Sequence, residues 1–135
     1  MILAHLTLAT PDVERTAEFL EAVFGFPRNP TPANSPVPIV WLNVGNGQEL
    51  HVIHVPGFEA SPYELEFGRH VAFFCRDAEL DSVKERVVAH GGVLVEPLRT
   101  TPFRRCFFRE PVNGYLFEVI GRPEPSAGPR AASAT

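Results

Sequence analysis

Apolar and polar positions change period along this chain, and the changes divide it into short strands and two helices. Residues 2–9 alternate (Ile-Leu-Ala-His-Leu-Thr-Leu-Ala), and a period of two predicts a strand. Thr10-Pro11 follows, a capping hydroxyl and then a proline suited to the first helical position. Val13, Ala17, Leu20 and Phe24 recur three or four apart as one apolar helical stripe, which Gly25 closes. The proline-rich stretch 27–38 cannot sustain ladder hydrogen bonds and predicts a loop with at most one short edge strand. Residues 39–44 and 49–55 are two more strands, joined by the hairpin signal Gly45-Asn46-Gly47.

The same order then returns. Residues 69–75 predict a strand, and Asp77 is placed to cap a helix from about 79 to 90 with Leu80, Val83, Val87 and Val88 as its stripe. Gly91-Gly92 ends that helix, and strands follow at 93–96, 104–109 and 115–120, the last two flanking Pro111-Val112-Asn113-Gly114. The leading histidines, His5 and His70, are 65 residues apart, and the helix-closing glycines, Gly25 and Gly91, are 66 apart. The chain is therefore a repeat of two units, 1–55 and 69–122, with a Pro- and Gly-containing linker at 56–68. Together they make one domain, 1–122, and the Pro-, Ser-, Gly- and Ala-rich segment 123–135 predicts a disordered tail. Each unit reads βαβββ. One such unit cannot cover its own sheet, so the two must pack or close around a shared cavity. The predicted fold is α+β, with tandem modules forming a curved mixed sheet around a metal or ligand cavity.

Composition narrows the function classes. The 135 residues suit a single domain with a real core. A formal charge of −4 gives no general attraction to nucleic acid or anionic membrane. No apolar run approaches the roughly 20 residues of a membrane helix. The apolar start lacks a basic flank and soon reaches Asp12 and Glu14, so it reads as a strand rather than a signal peptide. Cys75 and Cys106, the only cysteines, sit in apolar strands, which predicts buried, reduced thiols and a cytoplasmic protein. Arg104, Arg105 and Arg109 cluster, and a guanidinium fork holds carboxylate or phosphate, so Arg105 is a candidate for substrate binding; a solvated strand face is the alternative.

The repeat offset also pairs candidate site residues. Glu118 interrupts the apolar run Leu116-Phe-Glu-Val-Ile120, and an unpaired buried carboxylate is costly, so it demands a cation, a metal or a donor. Its equivalent, 67 residues earlier, is His51. His5, His51, His70 and Glu118 thus form four equivalent positions, two from each half. Three imidazoles and a carboxylate suit a divalent transition metal: Zn, Ni, Fe, Mn or Co. Glu49 shares strand parity with His51 and is the candidate for catalytic proton transfer. Trp41, the only tryptophan, lies on a strand beside the proposed cavity and is placed to wall a substrate or to pack the core. His90, in the last helical turn, reads as structural.

The order of a His-led strand, a helix ending Phe-Gly-Phe (24–26), a hairpin with Gln-Glu-Leu-His, and a close on Glu-Pro-Val-Asn-Gly-Tyr-Leu-Phe-Glu resembles the vicinal oxygen chelate superfamily. Glyoxalase I, bleomycin-resistance proteins, fosfomycin-resistance enzymes, methylmalonyl-CoA epimerase and extradiol dioxygenases belong to that group. The resemblance spans residues 2–121 and places metal ligands at His5, His51, His70 and Glu118; glyoxalase I and the epimerase usually carry glutamate where His51 stands. It implies a glyoxalase-like lyase or isomerase whose substrate chelates a divalent metal through vicinal oxygens. A non-haem iron ring-cleaving dioxygenase and a metal-free binding protein of the bleomycin-resistance type are the alternatives. It also implies a homodimer, its sites closed within one chain or shared between two.

Overall fold

A computed structural model describes residues 1–124, so most of the expected tail lies outside the described residues. The order of elements is β1 (His5–Thr10), α1 (Val13–Phe24), β2 (Arg28–Asn29), β3 (Ile39–Gly45) and β4 (Gln48–His54), then β5 (Val71–Arg76), a 3-10 turn (Asp77–Glu79), α2 (Leu80–Ala89), β6 (Val93–Val95), β7 (Arg105–Arg109) and β8 (Leu116–Arg122). The strands form two four-stranded mixed sheets, β1-β4-β3-β2 and β5-β8-β7-β6. The repeat is thus literal: in both halves the leading strand runs parallel to the last one, and the remaining strands pair antiparallel.

Both helix starts differ from the sequence expectation. Asp12, not Thr10, caps α1, its Oδ1 accepting from the Arg15 amide at 3.1 Å. The Thr10 hydroxyl instead accepts from the Asp12 amide and lies 2.9 Å from Thr16 Oγ1, which leaves Pro11 outside the helix. Asp77 begins a 3-10 turn rather than capping α2 and pairs with Arg104. In α2, Leu80, Val83 and Val87 are buried, whereas Val88 is 59% exposed. The buried three lie on one line of the helix, and Val88 sits about 100° round from it. Gly25, in the left-handed region at φ 73°, closes α1 as expected.

What positions the site is how the halves pack. Leu8, Val40, Leu42, Leu50 and Val52 from one face of the first sheet join Val13, Ala17, Leu20 and Val23 of α1 in the core. The corresponding face of the second sheet contributes Cys106, Phe108, Phe117 and Val119, with Leu80, Val83 and Val87 of α2, to the same core. Phe24 joins the two: its ring centroid lies 4.8 Å from Phe73 and 5.9 Å from both Phe108 and Phe117. The Tyr115 hydroxyl donates to the Ala9 carbonyl at 2.8 Å and Arg86 Nε to the Val23 carbonyl at 3.0 Å, also across the halves. The sheets therefore turn the same kind of face toward the helices. Because side chains alternate along a strand, the opposite faces look away from this core. Those outer faces carry the sequence-predicted residues.

The linker is anchored. Buried Glu64 accepts from Arg69 at 2.6 Å and from the Leu116 amide at 3.3 Å, and Glu66 accepts from the Leu98 and Arg99 amides at 2.9 and 3.0 Å.

Candidate functional site

The outer face of the first sheet gathers His5, Trp41, Glu49 and His51. The parallel register of β1 and β4 sets His5 beside Glu49 and Thr7 beside His51. The His5 and His51 rings stack at 3.8 Å with 13° between planes, and Trp41 stacks on His51 at 4.2 Å and 5°. Since β4 lies between β1 and β3, His51 is the middle ring of three. Ring nitrogens donate in the ring plane, so two parallel rings this far apart cannot both reach one ion in this conformation. His51 Nε2 also lies 3.1 Å from Glu49 Oε1. The other Glu49 oxygen accepts from Asn29 Nδ2 at 2.7 Å. That amide hydrogen bond, followed by the contact with His51, holds the Glu49 carboxyl below its ordinary range. Glu49 is therefore an ionised carboxylate fixed from both sides. Trp41 is half-buried on this face rather than in the core.

The outer face of the second sheet gathers His70 and Glu118. His70 sits just before β5, and Glu118 pairs across the ladder with Ala72 and Phe107. His70 Nδ1 lies 3.2 Å from the Leu65 carbonyl. A carbonyl only accepts, so Nδ1 carries the proton and a neutral ring keeps a lone pair on Nε2. That Nε2 is 3.3 Å from Glu118 Oε1, and Glu118 is 5% exposed. Buried Glu118 and half-buried His70 thus face each other, and a proton on Nε2 or a bound cation satisfies both. Two ligands at about 2.1 Å from one metal stand roughly 2.9–3.4 Å apart. The donor pair fits a divalent ion. An apolar cavity of about 200 Å³, lined in part by Leu65, Phe67, Val95, Leu98 and Phe107, opens on this face.

Of the arginine cluster only Arg105 is buried on internal partners, while Arg104 stays half exposed among surface carboxylates. Arg104 binds Asp77 and Asp81, Arg109 binds the Gly114 carbonyl, and Arg105 binds Glu118 at 2.9 Å and the Arg99 carbonyl at 2.6 Å. Within one copy the two donor groups stay apart: among the described residues no three His, Cys, Asp or Glu side chains come together to hold a metal. The four expected ligands are thus two pairs on two faces. Sequence reasoning missed Asn29 and Glu66. Glu66 had a weak signal, since Glu64-Leu65-Glu66-Phe67 alternates inside the linker.

Comparison with known proteins gives the same architecture. The sequence model of the Glyoxalase/Bleomycin resistance protein/Dioxygenase superfamily matches residues 2–119. The fosfomycin resistance protein FosX from Mesorhizobium loti is 25% identical with a TM-score of 0.71, covering 90% of this chain and 94% of that one. A mutant of FosX from Listeria monocytogenes, complexed with Mn(II) and 1S,2S-dihydroxypropylphosphonic acid, is 23% identical with a TM-score of 0.72, covering 90% and 93%. A hypothetical protein, SA1046 from S. aureus, is 21% identical with a TM-score of 0.68, covering 90% and 97%. No curated protein matches.

Proposed function

This chain belongs to the Glyoxalase/Bleomycin resistance protein/Dioxygenase superfamily, and from that premise we propose a metal-dependent, glyoxalase-like lyase or isomerase acting on a small substrate with vicinal oxygens. The observation that carries the reading is the facing pair of half-buried His70 Nε2 and buried Glu118 Oε1, 3.3 Å apart, with His70 Nδ1 against the Leu65 carbonyl. The Mn(II) complex of a FosX relative supports a divalent ion in this fold.

His70 and Glu118 would hold the metal from one copy, and His5 of a second copy would complete the set, because within one copy the described residues bring no third donor to the pair. A bound divalent ion supplies Lewis-acid stabilisation of charge developing on a substrate oxygen. The residues of this chain do the rest. Glu49, kept ionised by Asn29 and His51, accepts a proton from the substrate carbon beside the bound oxygens. His51 orients that carboxylate and stacks between His5 and Trp41, with Trp41 as one wall. The apolar cavity beside Phe107 excludes water from the substrate body. The two free thiols suit a reducing cytoplasm.

A dioxygenase reading retains one support: two histidines and one carboxylate are a donor set that suits iron. Elemental analysis, followed by assays of vicinal-dioxygen substrates on protein reloaded with Mn, Ni, Zn, Co or Fe, tests both. Oxygen consumption with Fe alone selects the dioxygenase. Wild type that takes up no divalent ion while still binding a small molecule refutes the metal reading and leaves a binding protein.

A further inference from the structure

Arg105 is an expensive residue where it stands. Its side chain is 5% exposed, and its neighbours Glu66 and Glu118 are 8% and 7% exposed. A buried charged network of this kind is often no more stable than apolar packing. One donor, Arg105 Nε, is buried without a partner among the described residues, which adds to the cost. Packing alone does not explain it.

The contacts show what the guanidinium does. Nη1 donates to Glu118 Oε2 at 2.9 Å, while the other carboxylate oxygen, Oε1, faces His70 Nε2 at 3.3 Å. Nη2 donates to the Arg99 carbonyl at 2.6 Å, and the cation lies 4.9 Å from the Phe107 ring centroid. The guanidinium plane is therefore held on more than one side, and it holds only one of the two Glu118 oxygens. Glu66 Oε2 stands 3.5 Å from Nη2, while the Glu66 carboxylate also accepts the Leu98 and Arg99 amides. The linker thus delivers a negative charge to the far side of Arg105.

On the metal reading above, we infer that Arg105 is a positioning residue that pins Glu118 Oε2 so that Oε1 alone is presented beside His70, and that Glu66 is the counter-charge that keeps this guanidinium from repelling the cation. An arginine beside a metal-binding carboxylate has two opposed effects: it orients the ligand and it opposes a positive ion. With Glu66 in contact, the Arg105–Glu66 pair carries no net charge, and orientation prevails.

Co(II) titration of the full-length protein, followed by its visible absorption, separates the two roles. Arg105→Met frees Glu118 Oε2, so the carboxylate can turn, affinity should fall about 10–100-fold and the absorption bands should change shape and intensity. Arg105→Lys keeps the charge but cannot span Glu118 and the Arg99 carbonyl together, and should recover only part of the affinity. Glu66→Gln should weaken Co(II) binding with the band shape kept, since Arg105 retains its bond to Glu118 Oε2 while the counter-charge and one of the two backbone-amide hydrogen bonds are lost. Wild-type affinity and spectrum in Arg105→Met overturn the positioning role; if that variant does not fold, wild-type behaviour in Arg105→Lys does so. Wild-type affinity in Glu66→Gln overturns the counter-charge role. A wild type that binds no Co(II) would instead refute the metal reading itself.

Discussion

Mixing two defective chains tests the arrangement on which the proposed site depends. His5→Ala removes a donor from the outer face of the first sheet, and His70→Ala one from the outer face of the second. The shared core, with Phe24 against Phe73, Phe108 and Phe117, turns both faces away from itself, and among the described residues they bring no three donors together. If a site takes His5 from one copy and His70 with Glu118 from the other, every site in either pure variant lacks one histidine. In a mixed dimer one site lacks both and the other is intact. Random exchange makes half of the dimers mixed, so about one quarter of the wild-type number of sites should return. Chains carrying different affinity tags, unfolded and refolded together, would be titrated with Co(II) at a concentration where neither parent binds. Mass spectrometry of the intact complexes would confirm mixed dimers. Mixed dimers that recover no Co(II) sites refute the shared-site arrangement, as does a strictly monomeric wild type that binds metal.

Other outcomes are expected of the same structure. Phe108→Ala should destabilise the fold by about 3–5 kcal/mol in urea unfolding, because the ring is fully buried among Phe19, Phe24 and Phe117; a loss under 1 kcal/mol contradicts the shared core. Gly92→Ala should cost about 1–3 kcal/mol, since its added carbon would meet Val87 Cγ1 at 2.7 Å and Phe19 Cζ at 2.9 Å. Burial pushes the Cys106 thiol up to about 11, so an aromatic disulfide reagent at pH 8 should leave it unmodified until denaturant is added; rapid labelling of the folded protein would overturn this. Burial raises the Glu66 carboxyl, but hydrogen bonds from the Leu98 and Arg99 amides outweigh it and hold the group below its usual range. The stability advantage of wild type over Glu66→Gln should therefore be complete above the ordinary carboxylate range and vanish as pH falls through the lowered value; an advantage that grows in acid contradicts the sign.

Strand periodicity and the offset between repeats made the sheets and most of the candidate site legible. Alternation places Glu49 and His51 on one face of β4 whatever the tertiary packing, and the offset pairs His51 with Glu118 because the halves have the same topology. The sequence pattern could not show which way the halves pack. Phe24 continues the α1 stripe equally well whether it covers its own sheet or the other, so only tertiary contacts reveal that it seats on Phe73 and Phe117. Asn29 was hidden because a two-residue strand among prolines has no period to detect. Arg105 and Arg109 did fall on one strand, but their partners come from a linker glutamate, a diagonal position on the neighbouring strand and backbone carbonyls. Local spacing carries no information on such contacts.

The outward-looking faces also have a consequence for inheritance. On the shared-site arrangement each chain holds a half-share in two sites and owns neither. A chain damaged on one face spoils one site of any intact chain it joins; a chain damaged on both spoils both. With intact and doubly damaged chains made in equal amounts, only about a quarter of sites survive, although half of the chains are sound. Such an allele is dominant-negative. Fusing two copies into one polypeptide would confine the damage to its own product.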